Sequence, residues 1–180
     1  MLRSIGVTAL LLSCVAALAA QSKPAASPTG DANFAPIAWM VGGTWATDVT
    51  DLANDNVTHV ESRMRWAPNH TAIQFVVTFN GQAHYNGFYA YNPAAKNFGF
   101  FYTNSDGELT TGTATPDADG KTIHQEFDVT HTDGTTAHLK STLLRDGDNA
   151  YGMTVFMQKN GDWAQVFKVR YERKAEGGGK

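Results

Sequence analysis

Residues 71–89 of the chain read TAIQFVVTFNGQAHYNGFY, and this stretch decides the fold. The residues before Asn80-Gly81 are rich in β-branched and aromatic side chains, which favour strands. Asn-Gly is a favoured centre of a two-residue hairpin turn, because both central residues need a positive φ. The stretch therefore predicts an antiparallel β-hairpin.

The same turn chemistry recurs at a nearly constant step along the chain. Nine turn signals follow one another at intervals of 12 to 14 residues: Asn54-Asp55, Pro68-Asn69, Asn80-Gly81, Asn92-Pro93, Asp106-Gly107, Asp119-Gly120, Asp133-Gly134, Asp146-Gly147 and Asn160-Gly161. Nine turns separate ten strands, and no interval is long enough for the helical crossover that parallel strands need. We therefore predict an all-β fold, a single up-and-down antiparallel barrel of about ten strands, because closure removes the exposed sheet edges.

Charged side chains on both faces of the strands argue against an outer-membrane barrel, whose outward face is uniformly apolar. Glu61-Ser62-Arg63 and His124-Gln125-Glu126 are the clearest examples. A ten-stranded barrel is wider than one that side chains fill, so a ligand cavity is expected inside it.

Strict alternation about the turns groups side chains by face. About Asn80-Gly81 it places Ile73, Phe75, Val77 and Phe79 with Gln82, His84, Asn86 and Phe88, and on the other face Val76 and Thr78 with Tyr85 and Tyr89. About Asn160-Gly161 it places Met153, Val155 and Met157 with Ala164, Val166 and Lys168, and on the other face Thr154 and Phe156 with Trp163, Gln165 and Phe167. Neither face is cleanly polar, so this alternation does not distinguish inside from outside.

The first residues carry an export pattern. Arg3 precedes an apolar run from Ile5 to Ala16, and Ala17-Leu18-Ala19 is a small-x-small cleavage site, which is typical of a secretory signal peptide. The run is shorter than the roughly 20 apolar residues that a spanning helix needs. We predict a signal peptide over residues 1–19 and a periplasmic or secreted protein without a membrane span.

The only cysteine, Cys14, lies inside this predicted signal. Leu11-Leu12-Ser13-Cys14 loosely matches a bacterial lipoprotein box, so lipidation of Cys14 is the alternative to cleavage after Ala19. Without Cys14 the mature chain contains no cysteine, which excludes disulfides, thiol catalysis and cysteine zinc sites.

The composition of the remaining chain predicts how it is divided into segments and which partners it does not favour. Residues 20–33 are rich in Pro, Ser, Ala and Gly and predict a flexible leader, residues 34–173 form the barrel domain, and residues 174–180 form a loose tail. Fourteen Lys and Arg against seventeen Asp and Glu give a net charge of −3, without the basic surplus that a phosphate backbone requires. Nucleic acid is therefore not a predicted partner, and the composition favours no oligomeric state.

Three motifs carry a resemblance to a known family. The chain contains Trp39-Met40-Val41-Gly42-Gly43-Thr44-Trp45, then Tyr91-Asn92-Pro93, and finally Tyr171-Glu172-Arg173. In this order they resemble the secreted bacterial lipocalin-like (calycin) β-barrel domains of unknown function, over residues 35–173. The resemblance implies a structural pair that closes the barrel base, in which Trp45 packs beneath Arg173 or Arg170. It implies no catalytic residue.

The six histidines raise the question of a metal or haem site. They stand at positions 59, 70, 84, 124, 131 and 138, without the His-x-His or Glu-x-x-His spacing of metal ligands, so no metal is predicted. The ten-stranded nitrobindin barrels bind haem through one histidine, and a haem-binding barrel is therefore one alternative. Their opening continues with further glycines, whereas here Ala46 and Thr47 follow Trp45.

Other chemistry has weaker support. Thr115 to Gly120, with Glu126 beyond it, nearly fits a calcium loop, but a plain Asp-Gly hairpin explains it better. No nucleophile motif or glycine-rich phosphate loop occurs, so no catalytic residue and no cofactor are predicted, and an enzyme is the less favoured hypothesis.

The leading hypothesis is an exported lipocalin-like barrel that binds a small hydrophobic or amphipathic molecule in its interior. The candidate lining residues are Trp66, Phe75, Tyr85, Tyr89, Phe101, His138 and Phe167. One alternative is an accessory or interaction domain whose barrel is filled by its own side chains. Another is an enzyme that uses an interior His with Tyr or Glu.

Overall fold

The computed structural model describes residues 29–50 and 55–174. Its elements are helix α1 (Thr29–Phe34), a 3₁₀ turn (Ala38–Met40), β1 (Thr44–Thr50), β2 (Val57–Trp66), a second 3₁₀ turn (Pro68–His70), β3 (Ala72–Phe79), β4 (Gln82–Asn92), β5 (Asn97–Asn104), β6 (Leu109–Pro116), β7 (Thr122–Thr130), β8 (Thr136–Asp146), β9 (Ala150–Lys159) and β10 (Asp162–Lys174). The predicted signal peptide, with Cys14, lies outside the described residues. Helix α1 begins within the predicted leader, and β10 continues to Lys174, the first residue of the predicted tail.

The ten strands form one closed antiparallel barrel. Each strand pairs with its neighbours along the chain, and β1 also pairs with β10, with Thr44 opposite Lys174 and Ala46 opposite Glu172. The prediction of an all-β, up-and-down barrel of ten strands is confirmed. At the turns, Asn80 and Gly81 have φ of 50° and 81°, the positive values that a type I′ hairpin requires.

Two β-bulges change the faces that strict alternation predicts. In the β3–β4 hairpin, Thr78 pairs with Ala83 but Val77 pairs with Tyr85, so His84 has no opposite residue. Beyond this bulge, Phe75 lies opposite Gly87, one residue away from the predicted Asn86. The predicted grouping of Phe75 with Asn86 and Phe88 is therefore wrong, because one extra residue moves every later side chain to the other face.

The β9–β10 hairpin contains the second bulge, at Val166. Phe156 pairs with Gln165, whereas Val155 pairs with Phe167. The predicted separation of Val155 from Phe167 is wrong for the same reason, and both side chains point into the barrel. Strict alternation ignores these bulges. For that reason it assigns polar and apolar side chains to the same face of each hairpin.

The N-terminal segment covers one end of the barrel. Phe34, Ile37 and Met40 are almost completely buried, at 1%, 0% and 1% exposure, and they join the core cluster at the end where β1 begins and β10 finishes. The centroid of the Phe34 ring lies 5.4 Å from that of Trp66, in an edge-on contact, and 5.1 Å from that of Phe98, with the two phenyl rings tilted. This contact closes the end of the barrel that contains the β2–β3 and β4–β5 turns.

Trp45 and Arg173 attach that segment to the barrel. The Trp45 indole N–H donates to the Met40 carbonyl at 2.8 Å, and the Arg173 guanidinium lies 4.1 Å from the Trp45 ring. Arg173 also donates to the carbonyls of Gly42 and Trp39, each at 2.6 Å. Arg170 lies elsewhere, on the outer surface, where it pairs with Asp146. Of the two arginines predicted as closure residues, Arg173 is the one that contacts Trp45.

Candidate functional site

The barrel encloses a cavity of about 520 Å³. This volume lies within the range of about 300 to 1,000 Å³ that small-molecule sites occupy. Side chains from nine strands, every strand except β6, line it, because alternate residues of a strand point to the same side of the sheet. The alternative of a barrel filled by its own side chains does not agree with a cavity of this size.

Exposure of the lining residues shows where the cavity meets solvent. Tyr151 and Tyr171, near the covered end, are 3% and 6% exposed, whereas Val166 at the opposite end is 51% exposed. Phe79 and Phe167, also near that opposite end, are partly exposed. The more exposed lining residues therefore lie at the end that contains the β3–β4 and β9–β10 turns, away from the N-terminal segment.

The lining is apolar with a few hydroxyls and carries no charge. Fourteen of its side chains are Val, Leu, Met or Phe, five are tyrosines, and the other four are Thr58, Ser62, Gln125 and Ser141. No Asp, Glu, Lys, Arg or His is among the lining residues that the structure describes. An ionic ligand would lose its hydration here without gaining a counter-charge, so the cavity is suited to an uncharged molecule.

A buried polar network spans the interior. The Gln125 Nε2 group on β7 donates to the Tyr89 hydroxyl on β4 at 2.8 Å, and the Ser141 hydroxyl on β8 donates to Gln125 Oε1 at 2.6 Å. Both polar atoms of the Gln125 amide therefore have a partner, which removes most of the cost of burying it. The network fixes the orientation of Tyr89 within the cavity wall.

Burial raises the pKa of all five lining tyrosines. Loss of hydration is the largest cause in each case, and it raises the pKa of Tyr85 and of Tyr171 to about 12. It also raises the pKa of Tyr89, Tyr102 and Tyr151, and neighbouring tyrosines add to the effect on Tyr151. At neutral pH every lining tyrosine is therefore an uncharged hydrogen-bond donor.

The structure brings four of the seven predicted lining residues together. Phe75, Tyr85, Tyr89 and Phe167 line the cavity. Trp66 instead packs between Phe34 and His70 at the covered end, with the His70 ring stacked on it at 5.3 Å.

Phe101 and His138 lie on the outside of the barrel. Phe101 is 49% exposed and packs on Phe88, its partner in the neighbouring strand. His138 forms ion pairs with Asp128 at 2.7 Å and with Glu126 at 3.1 Å. The sequence predicts that both face inward. They instead point outward, because successive residues of a strand point to opposite sides of the sheet and the neighbours of both face the interior.

Sequence reasoning missed several cavity residues, among them Tyr102, Gln125, Ser141, Tyr151 and Tyr171. A signal for them does exist in the two-residue alternation of single strands. Phe98, Phe100 and Tyr102 alternate along β5, and Tyr151, Met153 and Val155 alternate along β9. Alternation along β5 and β9 is unaffected by the bulges, which lie in β4 and β10.

The stability of the fold is expected to depend on pH through His138, which lies on the outer surface. The pKa of His138 is raised, chiefly by its hydrogen bond to Asp128 and further by Glu126, while burial acts the other way. A raised folded-state pKa stabilises the fold fully below about pH 6.5, and this contribution is lost as pH rises through the folded-state pKa. We expect His138→Gln to show a smaller decrease in unfolding free energy between about pH 6 and pH 8.5 than the parent chain.

Urea unfolding at both pH values measures this difference. Asp128→Asn removes the main partner of the same ring and is expected to reduce the pH dependence in the same direction. Equal pH dependence in the parent and in both variants would show that the pair does not contribute to stability.

The described residues offer no haem or metal site of the kinds considered above. No histidine is among the described residues that line the cavity, so this lining offers no imidazole ligand of the kind through which nitrobindin barrels bind haem. Within residues 29–50 and 55–174, no group of three or more His, Cys, Asp or Glu side chains is arranged to hold a metal ion. The segment at Asp117–Lys121 is a hairpin turn, in which the Gly120 N–H donates to the Asp117 carbonyl at 2.9 Å.

No protein-family model matches the chain, and no curated protein is significantly similar to it. Among the described residues, no helix is both long enough and apolar enough to cross a bilayer.

Proposed function

We propose that this protein is an exported lipocalin-like barrel that binds a small, uncharged and mostly apolar molecule in its interior. The observation that carries the proposal is the cavity of about 520 Å³, which is accessible at one end and lined without charged residues. The export pattern of residues 1–19 and the motifs at Trp39–Trp45 and Tyr171-Glu172-Arg173 support the location and the family assignment.

Affinity in this proposal comes from the burial of apolar ligand surface, at about 25 cal/mol per Å² removed from water. Rings and aliphatic side chains such as Phe75, Phe127 and Leu139 supply that surface. The opposite end of the barrel stays closed by the N-terminal segment, so a ligand enters and leaves past Phe79 and Phe167. The polar network around Gln125 orients the ligand.

A cavity-filling substitution tests the proposal. Val155 points into the cavity, and its neighbour Thr154 on the same strand does not line it. We expect Val155→Trp to weaken binding of the uncharged dye N-phenyl-1-naphthylamine by about tenfold or more, because the indole occupies the ligand volume. We expect Thr154→Trp to change the affinity by less than about twofold, because the same indole is then added to the outer surface.

Dye fluorescence titration measures both affinities, and circular dichroism melts show whether each variant is folded. If the parent does not bind the dye, or if both tryptophan variants weaken it equally, cavity binding is contradicted. Native mass spectrometry of protein purified from its own host, before and after denaturation, then identifies a carried ligand from the mass that is lost.

A further inference from the structure

The hydrogen-bonding groups inside the cavity are not equally available to a ligand. Both polar atoms of the Gln125 side-chain amide are already hydrogen-bonded, one to Tyr89 and the other to Ser141. The Tyr89 oxygen accepts the amide N–H, so its own O–H points away from Gln125 and remains available. Among the described residues, no hydrogen-bond partner is found for the hydroxyls of Tyr151 and Tyr171, which also line the cavity.

Tyr89, Tyr151 and Tyr171 line the same cavity from strands β4, β9 and β10. The pKa of Tyr151 is raised chiefly by burial and in part by Tyr171 and Tyr89, and the pKa of Tyr171 chiefly by burial and in part by Tyr85. All of them remain protonated at neutral pH. The inner part of the cavity therefore presents several O–H donors and no carboxylate or imidazole acceptor.

One face of each of two tyrosine rings at this end is covered by the other ring. Tyr151 and Tyr171 stack on each other at 4.9 Å, and Tyr151 also packs edge-on against Trp45 at 5.0 Å. No carboxylate is among the described lining residues, so a cation would lose its hydration here without gaining a counter-charge. A molecule with acceptor oxygens gains hydrogen bonds that the cavity otherwise leaves unmade.

We propose that the ligand is an uncharged carbonyl compound, a ketone or quinone on an apolar ring skeleton, whose oxygen accepts hydrogen bonds from Tyr89 and Tyr151. A carbonyl oxygen has two lone pairs and can accept from both hydroxyls at once. This inference rests on the proposed function, and it specifies the chemistry of the ligand within the same cavity.

A matched pair of probes tests the inference. The quinone 2-methyl-1,4-naphthoquinone and the hydrocarbon 2-methylnaphthalene share a ring skeleton and differ in the carbonyl oxygens. In displacement of bound N-phenyl-1-naphthylamine from the purified protein, we expect the quinone to compete about tenfold better than the hydrocarbon.

Tyrosine variants assign the effect to the two hydroxyls. We expect Tyr89→Phe and Tyr151→Phe each to weaken binding of the quinone about fivefold. We expect both variants to change the affinity for the hydrocarbon by less than about twofold. Tyr91→Phe is the matched control, since Tyr91 packs on Phe98 and does not line the cavity, and it is expected to change neither affinity. Tyr151→Phe leaves the Gln125 hydrogen bonds intact, so it remains informative if Tyr89→Phe destabilises the fold.

The outcomes separate this inference from the proposed function. If the dye binds but the quinone competes no better than the hydrocarbon, the carbonyl inference is overturned and cavity binding stands. If benzyltrimethylammonium displaces the dye better than the quinone, the cavity prefers a cation and the inference is also overturned. If the dye itself does not bind, the proposed function fails.

Discussion

Trp45→Ala is expected to lower the free energy of unfolding by about 4 kcal/mol, within the range for truncation of a buried tryptophan. Trp45 is completely buried, at 0% exposure, and its ring contacts Trp39 and Tyr151. The substitution leaves a void at the covered end of the barrel. It also removes the surface under the Arg173 guanidinium and the donor to the Met40 carbonyl.

For a domain of this size the loss corresponds to a decrease in Tm of about 15 °C. Thermal melts followed by circular dichroism measure it. Trp163→Ala is the matched control, because Trp163 is partly exposed on the outer surface, with the Lys140 ammonium 4.3 Å from its ring. We expect Trp163→Ala to lower the free energy of unfolding by about 1 kcal/mol. Equal losses in the two variants would contradict the role of Trp45 in closing the barrel.

Gly112→Ala is expected to destabilise the protein by about 3 kcal/mol, because the barrel wall has no room for a Cβ atom at that position. An ideal Cβ on Gly112 would lie 2.4 Å from the Glu126 carbonyl oxygen and 2.4 Å from Phe127 Cβ. Backbone atoms cannot move aside without disturbing the β6–β7 pairing, in which Gly112 lies opposite Phe127. Since Phe127 lines the cavity, we also expect weaker dye binding.

Gly99→Ala provides the control within the neighbouring strand β5. A Cβ on Gly99 would meet no atom within 4 Å. We expect this variant to be unchanged or more stable by about 0.5 kcal/mol, because alanine reduces the freedom of the unfolded chain. Urea unfolding of both variants measures the difference, and similar stabilities for the two would show that β6 and β7 do not approach as closely as described.

The strand count and the turn positions could be predicted from the sequence because they depend on local chemistry. Asn80-Gly81 and Asn160-Gly161 adopt positive φ with little cost, and each forms a turn wherever it stands between strands. A regular spacing of such turns leaves room for antiparallel strands and for no helical crossover. Closure follows from the need to pair the two edge strands.

The cavity lining could be predicted only in part because two bulges alter the register. The extra residues at His84 and Val166 have no sequence signature, and each shifts the following side chains by one position.

The contact of Arg173, and not Arg170, with Trp45 also depends on how the strands pair. The two are three residues apart on one strand and point to opposite faces, and pairing of Arg173 with Trp45 across the β1–β10 closure decides between them.

The sequence by itself therefore determined the architecture, a ten-stranded antiparallel barrel, because turn geometry is encoded by neighbouring residues. Only the tertiary structure decided that the interior is an uncharged cavity lined by five tyrosines. Tyr89 and Gln125 are 36 residues apart in the chain and come within 2.8 Å of each other across the barrel. Contacts of this kind depend on the register of every intervening strand, and that register is set when the sheet closes.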